Sequence, residues 1–113
     1  MLNFTDENFN KEVSGAEKPV LVDFWMEGCG PCVLLSPVME KLAGEFSEKI
    51  IFAKANFDEA ILTVQKYGIN AAPTVVLFKG GEPASGFVGL RPENEIRAWL
   101  EDNLKKDNGG KNQ

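Results

Sequence analysis

Apolar and polar residues along this chain alternate between two rhythms. Met1 to Phe4 can form a short strand. Thr5 is placed to cap a helix, with Asp6 and Glu7 in its first turn. Phe4 and Phe9 are spaced to bracket that helix start as an apolar staple. The helix runs through Val13 and stops at Ser14-Gly15. Val20 to Trp25 follows as a strand that is apolar on both faces, as a central strand covered by helices should be. One residue, Asp23, interrupts it. Glu27 to Cys32 is rich in turn formers. Beyond it, Leu35, Val38, Met39, Leu42 and Phe46 fall on one face of a helix reaching about Glu48, with Pro37 inside it as a source of a bend.

The second half reads in the same way. Ile50 to Phe57 is a strand. Glu59 to Tyr67 is a short helix stopped by Gly68. Thr74 to Lys79 is a strand, and Gly80-Gly81 is a hairpin turn. A further strand around Ala84 to Val88 follows Pro83 and so belongs at a sheet edge. Pro92 opens a last helix with Ile96, Trp99, Leu100 and Leu104 on one face. The order β-α-β-α-β-α-β-β-α predicts an α/β fold: a mixed sheet flanked by helices on both faces. Residues 1–104 form the expected domain, and residues 105–113 a polar tail expected to be disordered.

Length and composition narrow the chemistry. The 113 residues suit one domain, and 43% hydrophobic residues can supply its core. Histidine is absent. This removes Ser-His-Asp and Cys-His nucleophiles and any imidazole metal ligand. The two cysteines cannot complete a thiolate metal site alone, nor a multi-bridge secreted framework. The net charge of -5 argues against a nucleic-acid partner, which requires a basic face. The first residues do not read as a leader, and no apolar run approaches the ~18 residues of a membrane span. The expectation is a cytoplasmic protein, monomeric and without a membrane contact.

Cys29 and Cys32 sit three residues apart where a strand turns into a helix, so their sulfurs can meet. The free N–H groups and dipole of the helix start stabilise a thiolate on the outer cysteine. The inner cysteine is one turn deeper. An exposed attacker beside a shielded resolving thiol suits thiol–disulfide exchange. Three other readings exist. A structural disulfide would close a very short loop, where stabilisation is least. A metal clip would need carboxylates or a second chain. A dinucleotide fingerprint starting at Gly28-x-Gly30 lacks its third glycine, having Val33 instead.

The stretch Val22-Asp23-Phe24-Trp25-Met26-Glu27-Gly28-Cys29-Gly30-Pro31-Cys32 resembles the active-site segment of the thioredoxin family. Ala53 to Asp58, Lys66 to Ile69, Ala72-Pro73-Thr74, Phe78 to Gly81 and Val88-Gly89 follow in that family's order and spacing. The resemblance covers about residues 3 to 104. It implies the thioredoxin fold and a protein disulfide reductase. Cys29 would form a mixed disulfide with the substrate, which Cys32 resolves. Asp23 would be the general base for Cys32, with Lys54 close to its carboxylate. Buried without a partner, that carboxylate would have a raised pKa. Pro73 would be a cis-proline facing the cysteines, turning the Ala72 backbone toward a bound peptide. Trp25, Gly28, Val88 and Gly89 complete the contact surface. Gly30 and Pro31 tune the redox potential. The resemblance implies no bound cofactor or metal beyond a redox-active Cys29–Cys32 disulfide. It implies disulfide-bearing substrate proteins and a separate reductase as partners.

The chain departs from the family pattern at three places. Gly28 replaces a tryptophan, Val33 replaces a lysine, and Ala71-Ala72 replaces a glycine followed by a larger apolar residue. The contact surface should be smaller and less aromatic. A disulfide isomerase or oxidase of this fold usually carries a histidine between the cysteines, where this chain has Gly-Pro. A binding module without turnover would not need both cysteines together with Asp23 and Lys54. A dimeric iron–sulfur or zinc site would reveal itself by colour or metal analysis.

Overall fold

The structure, a computed structural model, describes the backbone of residues 1–111 and the side chains of residues 1–106. Five strands, β1 (Leu2–Phe4), β2 (Val20–Trp25), β3 (Ile51–Asn56), β4 (Thr74–Lys79) and β5 (Glu82–Val88), form one sheet in the order β1-β3-β2-β4-β5. β1 and β2 pair with β3 in parallel, and β4 runs antiparallel to β2 and β5. Four helices complete the order: α1 (Phe9–Ser14), α2 (Gly30–Glu45), α3 (Ile61–Lys66) and α4 (Glu93–Lys111). The expected polar tail over residues 105–113 falls largely outside the described side chains. Among the described residues, no helix is long and apolar enough to cross a membrane.

Strand alternation divides the core into two layers. Val20, Val22 and Phe24 of β2 pack with Phe4, Phe9, Ala53, Ala55 and Phe78 on the face covered by α1 and α3. Leu21 of β2 points the other way, into a cluster with Leu35, Met39 and Leu42 of α2 and Ile96 and Leu100 of α4. Asp23 and Trp25 share the parity of Leu21, so β2 aims both toward the α2 layer. Lys54 shares the parity of Phe52, which also belongs to that layer. Parity alone therefore brings an acid, an indole and an ammonium to the face that carries the cysteine helix.

α2 starts at Gly30 and continues through Pro37, ending at Glu45, short of the expected limit near Glu48. The N–H groups of Lys49 and Ile50 both take the Phe46 carbonyl. This turn delivers Ile50 to the core. Arg97 of α4 clamps Glu45 through two bonds (2.6 and 2.9 Å) and Glu93 through one (2.7 Å). The pairs are exposed, so they orient the two helices more than they stabilise them. Gly80 and Gly81 have φ of +60° and +83°. This is the primed turn that an antiparallel hairpin prefers. β5 starts at Glu82 and carries Pro83 at the sheet edge.

One cap differs from expectation. Thr5 does not start α1. Asn8 is the N-cap, and its side chain accepts from the Thr5 N–H instead (2.8 Å). Asp6 is likewise outside the α1 first turn. Its carboxylate crosses to α3, accepting from the N–H groups of Leu62 (3.0 Å) and Thr63 (2.9 Å) and from Thr63 Oγ1 (2.8 Å). Two orphan helix N–H groups and a hydroxyl bind this charge more strongly than a place beside α1 would. Burial pushes the Asp6 carboxyl up, but the bonds from Leu62 and Thr63 outweigh it and hold it below the usual range. Replacing Asp6 with Ala removes the cap of α3. We expect a loss of about 1–2 kcal/mol in urea unfolding at neutral pH. An unchanged unfolding midpoint would contradict the cap.

Candidate active site

Cys29 is the N-cap of α2, in extended conformation (φ -90°, ψ 110°). This conformation turns its side chain back over the first helical turn. Its Sγ accepts the Cys32 N–H at 3.2 Å. The Val33 N–H bonds to the Cys29 carbonyl at 3.2 Å. Pro31 occupies the first turn, where no N–H is needed. Cys29 and Cys32 are joined as a disulfide, with Cα atoms 5.3 Å apart. The two sulfurs differ in access. Cys29 is partly exposed, while Cys32 is buried, and Gly30 and Pro31 between them are exposed. One backbone donor of α2, the Cys32 N–H, is therefore directed at the reachable sulfur.

One flank of the disulfide is backbone. The Ala72–Pro73 peptide bond is cis. The Ala72 carbonyl oxygen lies 3.7 Å from Cys29 Sγ. Pro73 is buried, and its carbonyl accepts the Gly89 N–H at 2.8 Å. The Thr74 hydroxyl donates to the Ala71 carbonyl at 2.6 Å. These bonds hold the turn before β4 against the end of β5. Val88 stands 59% exposed beside it, and Gly89 has φ of +89°. The Thr74–Ala71 bond has no signature in the sequence beyond a hydroxyl after Pro73.

The other flank is a cavity of about 360 Å³. Asp23, Trp25, Cys32 and Lys54 line it, and Met26, Gly28 and Val33 form part of its margin. Ser36 and Pro37, one turn beyond Cys32, also line it. Sequence reasoning did not assign these two, although their spacing places them on the Cys32 side of α2. Asp23 is only 5% exposed. Its Oδ1 has no hydrogen-bond partner among the described residues, and the same holds for Trp25 Nε1. Burial pushes the Asp23 carboxyl up to about 6, against an opposing pull from the Lys54 ammonium. Lys54 pairs with Asp23 in the β2–β3 register. Its Nζ is 5.9 Å from the centre of the Trp25 ring.

The cysteine helix, the cis-proline turn and the buried acid thus meet at one end of the sheet. Comparison with known proteins agrees. The family model described as Thioredoxin matches residues 1–102. The chain belongs to the thioredoxin family. The thioredoxin of Alicyclobacillus acidocaldarius is 42% identical over 104 residues, covering 92% of this chain and 98% of the relative. Thioredoxin 2 of Chlorobaculum tepidum is 44% identical over 100 residues, covering 88% and 92%. The thioredoxin of Rickettsia bellii is 42% identical over 102 residues, covering 90% and 97%. Family membership makes the chain a thiol–disulfide oxidoreductase, with protein disulfide reduction as its expected reaction.

The departures from the thioredoxin pattern all fall around the disulfide. Gly28 has φ of +73° and open space where a Cβ would stand. Glycine adopts that conformation without steric cost, unlike the family tryptophan. Val33 is 69% exposed at the cavity margin. Gly28 and Val33 line the same cavity as Asp23 and Lys54.

The raised Asp23 carboxyl makes a stability prediction with a definite sign. Below about pH 3 the group is neutral in both the folded and the unfolded chain, so its burial carries no charge penalty. As pH rises toward 6, the unfolded chain ionises first and folding stability falls. Above the folded value the loss is constant, at about 3 kcal/mol. Asp23→Asn should therefore gain about 2–3 kcal/mol over the parent at pH 8 relative to pH 4. Urea unfolding of the oxidised protein at both values measures this. An equal difference at the two pH values would contradict it.

Proposed function

We propose that Cys29 is the attacking thiolate of a protein disulfide reductase, that Cys32 resolves the mixed disulfide, and that Asp23 takes the proton from Cys32. The observation that carries this reading is the unpartnered Asp23 Oδ1, buried in the cavity that Cys32 also lines. A carboxyl titrating near 6 is matched to proton transfer near neutrality. The Cys32 N–H on Cys29 Sγ stabilises negative charge there, both on the attacking thiolate and when Cys29 leaves.

In the cycle, the Cys29 thiolate attacks a substrate sulfur and the substrate's other sulfur leaves as a thiolate. Cys32 loses its proton to Asp23 and attacks Cys29 Sγ. The reduced substrate departs, and the Cys29–Cys32 disulfide remains. Lys54 acts through Asp23, drawing its carboxylate toward the charged form. Gly30 and Pro31 set the redox potential by shaping the first turn between the sulfurs. An extended substrate segment pairs with the backbone at Ala72, beside Cys29 Sγ. Gly89 has already given its N–H to Pro73, so it contributes surface only. Pro73, Val88, Trp25 and Gly28 frame the same contact.

The domain over residues 1–104 works in this reading as a cytoplasmic monomer. It holds no cofactor or metal besides its redox disulfide. A separate reductase protein returns it to the dithiol, and its partners are disulfide-bearing proteins, not nucleic acid or membrane.

A Cys32→Ser variant should hold target proteins from a cell extract as mixed disulfides on Cys29, released by a thiol reductant. No captured protein, with Cys29 still open to alkylation, would favour a binding module. A second variant isolates the proton step. Asp23→Asn should slow resolution of a preformed mixed disulfide near pH 7 by roughly tenfold or more. An unchanged rate returns Asp23 to a structural role.

A further inference from the structure

Met26 follows Trp25 where β2 ends, and it is one of three methionines in the chain. Met39 is fully buried, and Met1 is part-buried against the α2 layer. Met26 is 43% exposed, so it is the methionine that a dissolved oxidant meets first. Cys29 and Cys32 do not compete for that oxidant in the disulfide form, because neither is a thiolate there.

The surroundings of Met26 suit an added oxygen atom. Met26 lines the same cavity as Asp23, Trp25, Glu27, Ser36 and Lys54. Its thioether is only a weak acceptor. Trp25 Nε1 is a buried donor with no partner among the described residues, and a group in that position bears its full desolvation cost. The Lys54 ammonium is a second donor, 5.9 Å from the centre of the Trp25 ring. Asp23 Oδ1 is also unpartnered, so it takes neither donor. Oxidation to the sulfoxide turns the apolar methionine side chain into a polar one that carries an oxygen acceptor. In this cavity that oxygen has a neutral indole N–H and an ammonium to accept from.

We propose that Met26 is a peroxide-oxidation site, whose sulfoxide oxygen accepts from Trp25 Nε1 and Lys54 and draws Lys54 away from Asp23. One co-reactant, a peroxide, completes the chemistry. The sulfur lone pair attacks one oxygen of hydrogen peroxide, and the O–O bond breaks. That oxygen stays on sulfur, and the other leaves as water with both protons. Sulfur loses two electrons, and the peroxide gains them. The consequence for turnover rests on the proton transfer proposed above. Lys54 favours the charged form of Asp23. With Lys54 held by the sulfoxide, Asp23 is less often a carboxylate and takes the Cys32 proton less often. Peroxide then slows the reductase without altering either cysteine, and enzymatic sulfoxide reduction restores it.

Treatment of the disulfide form with hydrogen peroxide tests this. Intact mass and peptide mapping should show one oxygen gained on Met26 before Met1 or Met39 reacts. The indole N–H resonance of Trp25 should then move downfield in proton–nitrogen NMR. That of Trp99, already bonded to Ser85 Oγ at 2.9 Å, should stay in place and serves as the internal reference. After a thiol opens the disulfide, insulin reduction by the sulfoxide form should run about threefold slower than by untreated protein. Met26→Leu should lose both the resonance shift and the peroxide sensitivity. Oxidation of Met1 or Met39 ahead of Met26 would overturn the proposal. So would a Trp25 resonance that Met26 oxidation leaves in place, or an insulin rate that it leaves unchanged. A shifted Trp25 resonance in a protein that reduces no insulin even before oxidation would support the sulfoxide site and count against the reductase reading.

Discussion

A carboxylic acid kept out of water on the central strand is the constraint around which this site is arranged. Asp23 sits between Val22 and Phe24, whose side chains fill the opposite layer of the core. Strand alternation leaves its carboxyl no direction but toward the α2 layer. There it faces the buried cysteine across a shared cavity. Burial raises the group to about 6. That costs about 3 kcal/mol of folding stability at neutral pH, and the two apolar layers on either side of the sheet offset it. The same burial that destabilises the fold brings the proton affinity of Asp23 into the range where a thiol can use it.

The disulfide has two unlike flanks, and each answers a different requirement. The Ala72 carbonyl, at the cis Ala72–Pro73 bond, lies against Cys29, the accessible sulfur, and is the backbone proposed above to pair with an extended substrate. The Asp23 cavity lies on the side of Cys32, where the proposed proton transfer takes place. α2 spans the two. At its N-terminus the Cys32 N–H meets Cys29 Sγ, and its first turn carries Cys32 inward. The two bonds from Arg97 to Glu45 set the far end of that helix against α4, so α2 is held at both ends.

Much of this was legible in the sequence because it depends on local pattern. The run Val20 to Trp25, the glycine pair at 80–81 and the spacing of Leu35, Met39 and Leu42 each specify an element by their own periodicity or φ requirement. Asp23 was conspicuous as one acid in an apolar strand. The contacts that sequence could not supply are those joined across long separations. Asp6 lies beside α1 in the chain, yet it caps α3, more than fifty residues away, because the β1–β3 pairing brings the two together. The cavity has the same origin. Lys54, which only the family resemblance had set beside Asp23, reaches it through strand register, and Ser36 and Pro37 reach the cavity through the packing of α2. Neither follows from the composition of any one segment.

The titration of Asp23 tests this account most directly. Isotope-edited infrared or carboxyl carbon NMR of the oxidised protein, with Asp23→Asn to assign the signal, reads the group itself. A midpoint close to 6 is the result that a buried, unpartnered carboxyl requires. A midpoint near the ordinary aspartate value of 3.8 would mean that the group is solvated or fully paired. It would then neither tax the fold nor serve Cys32 as a base near neutral pH.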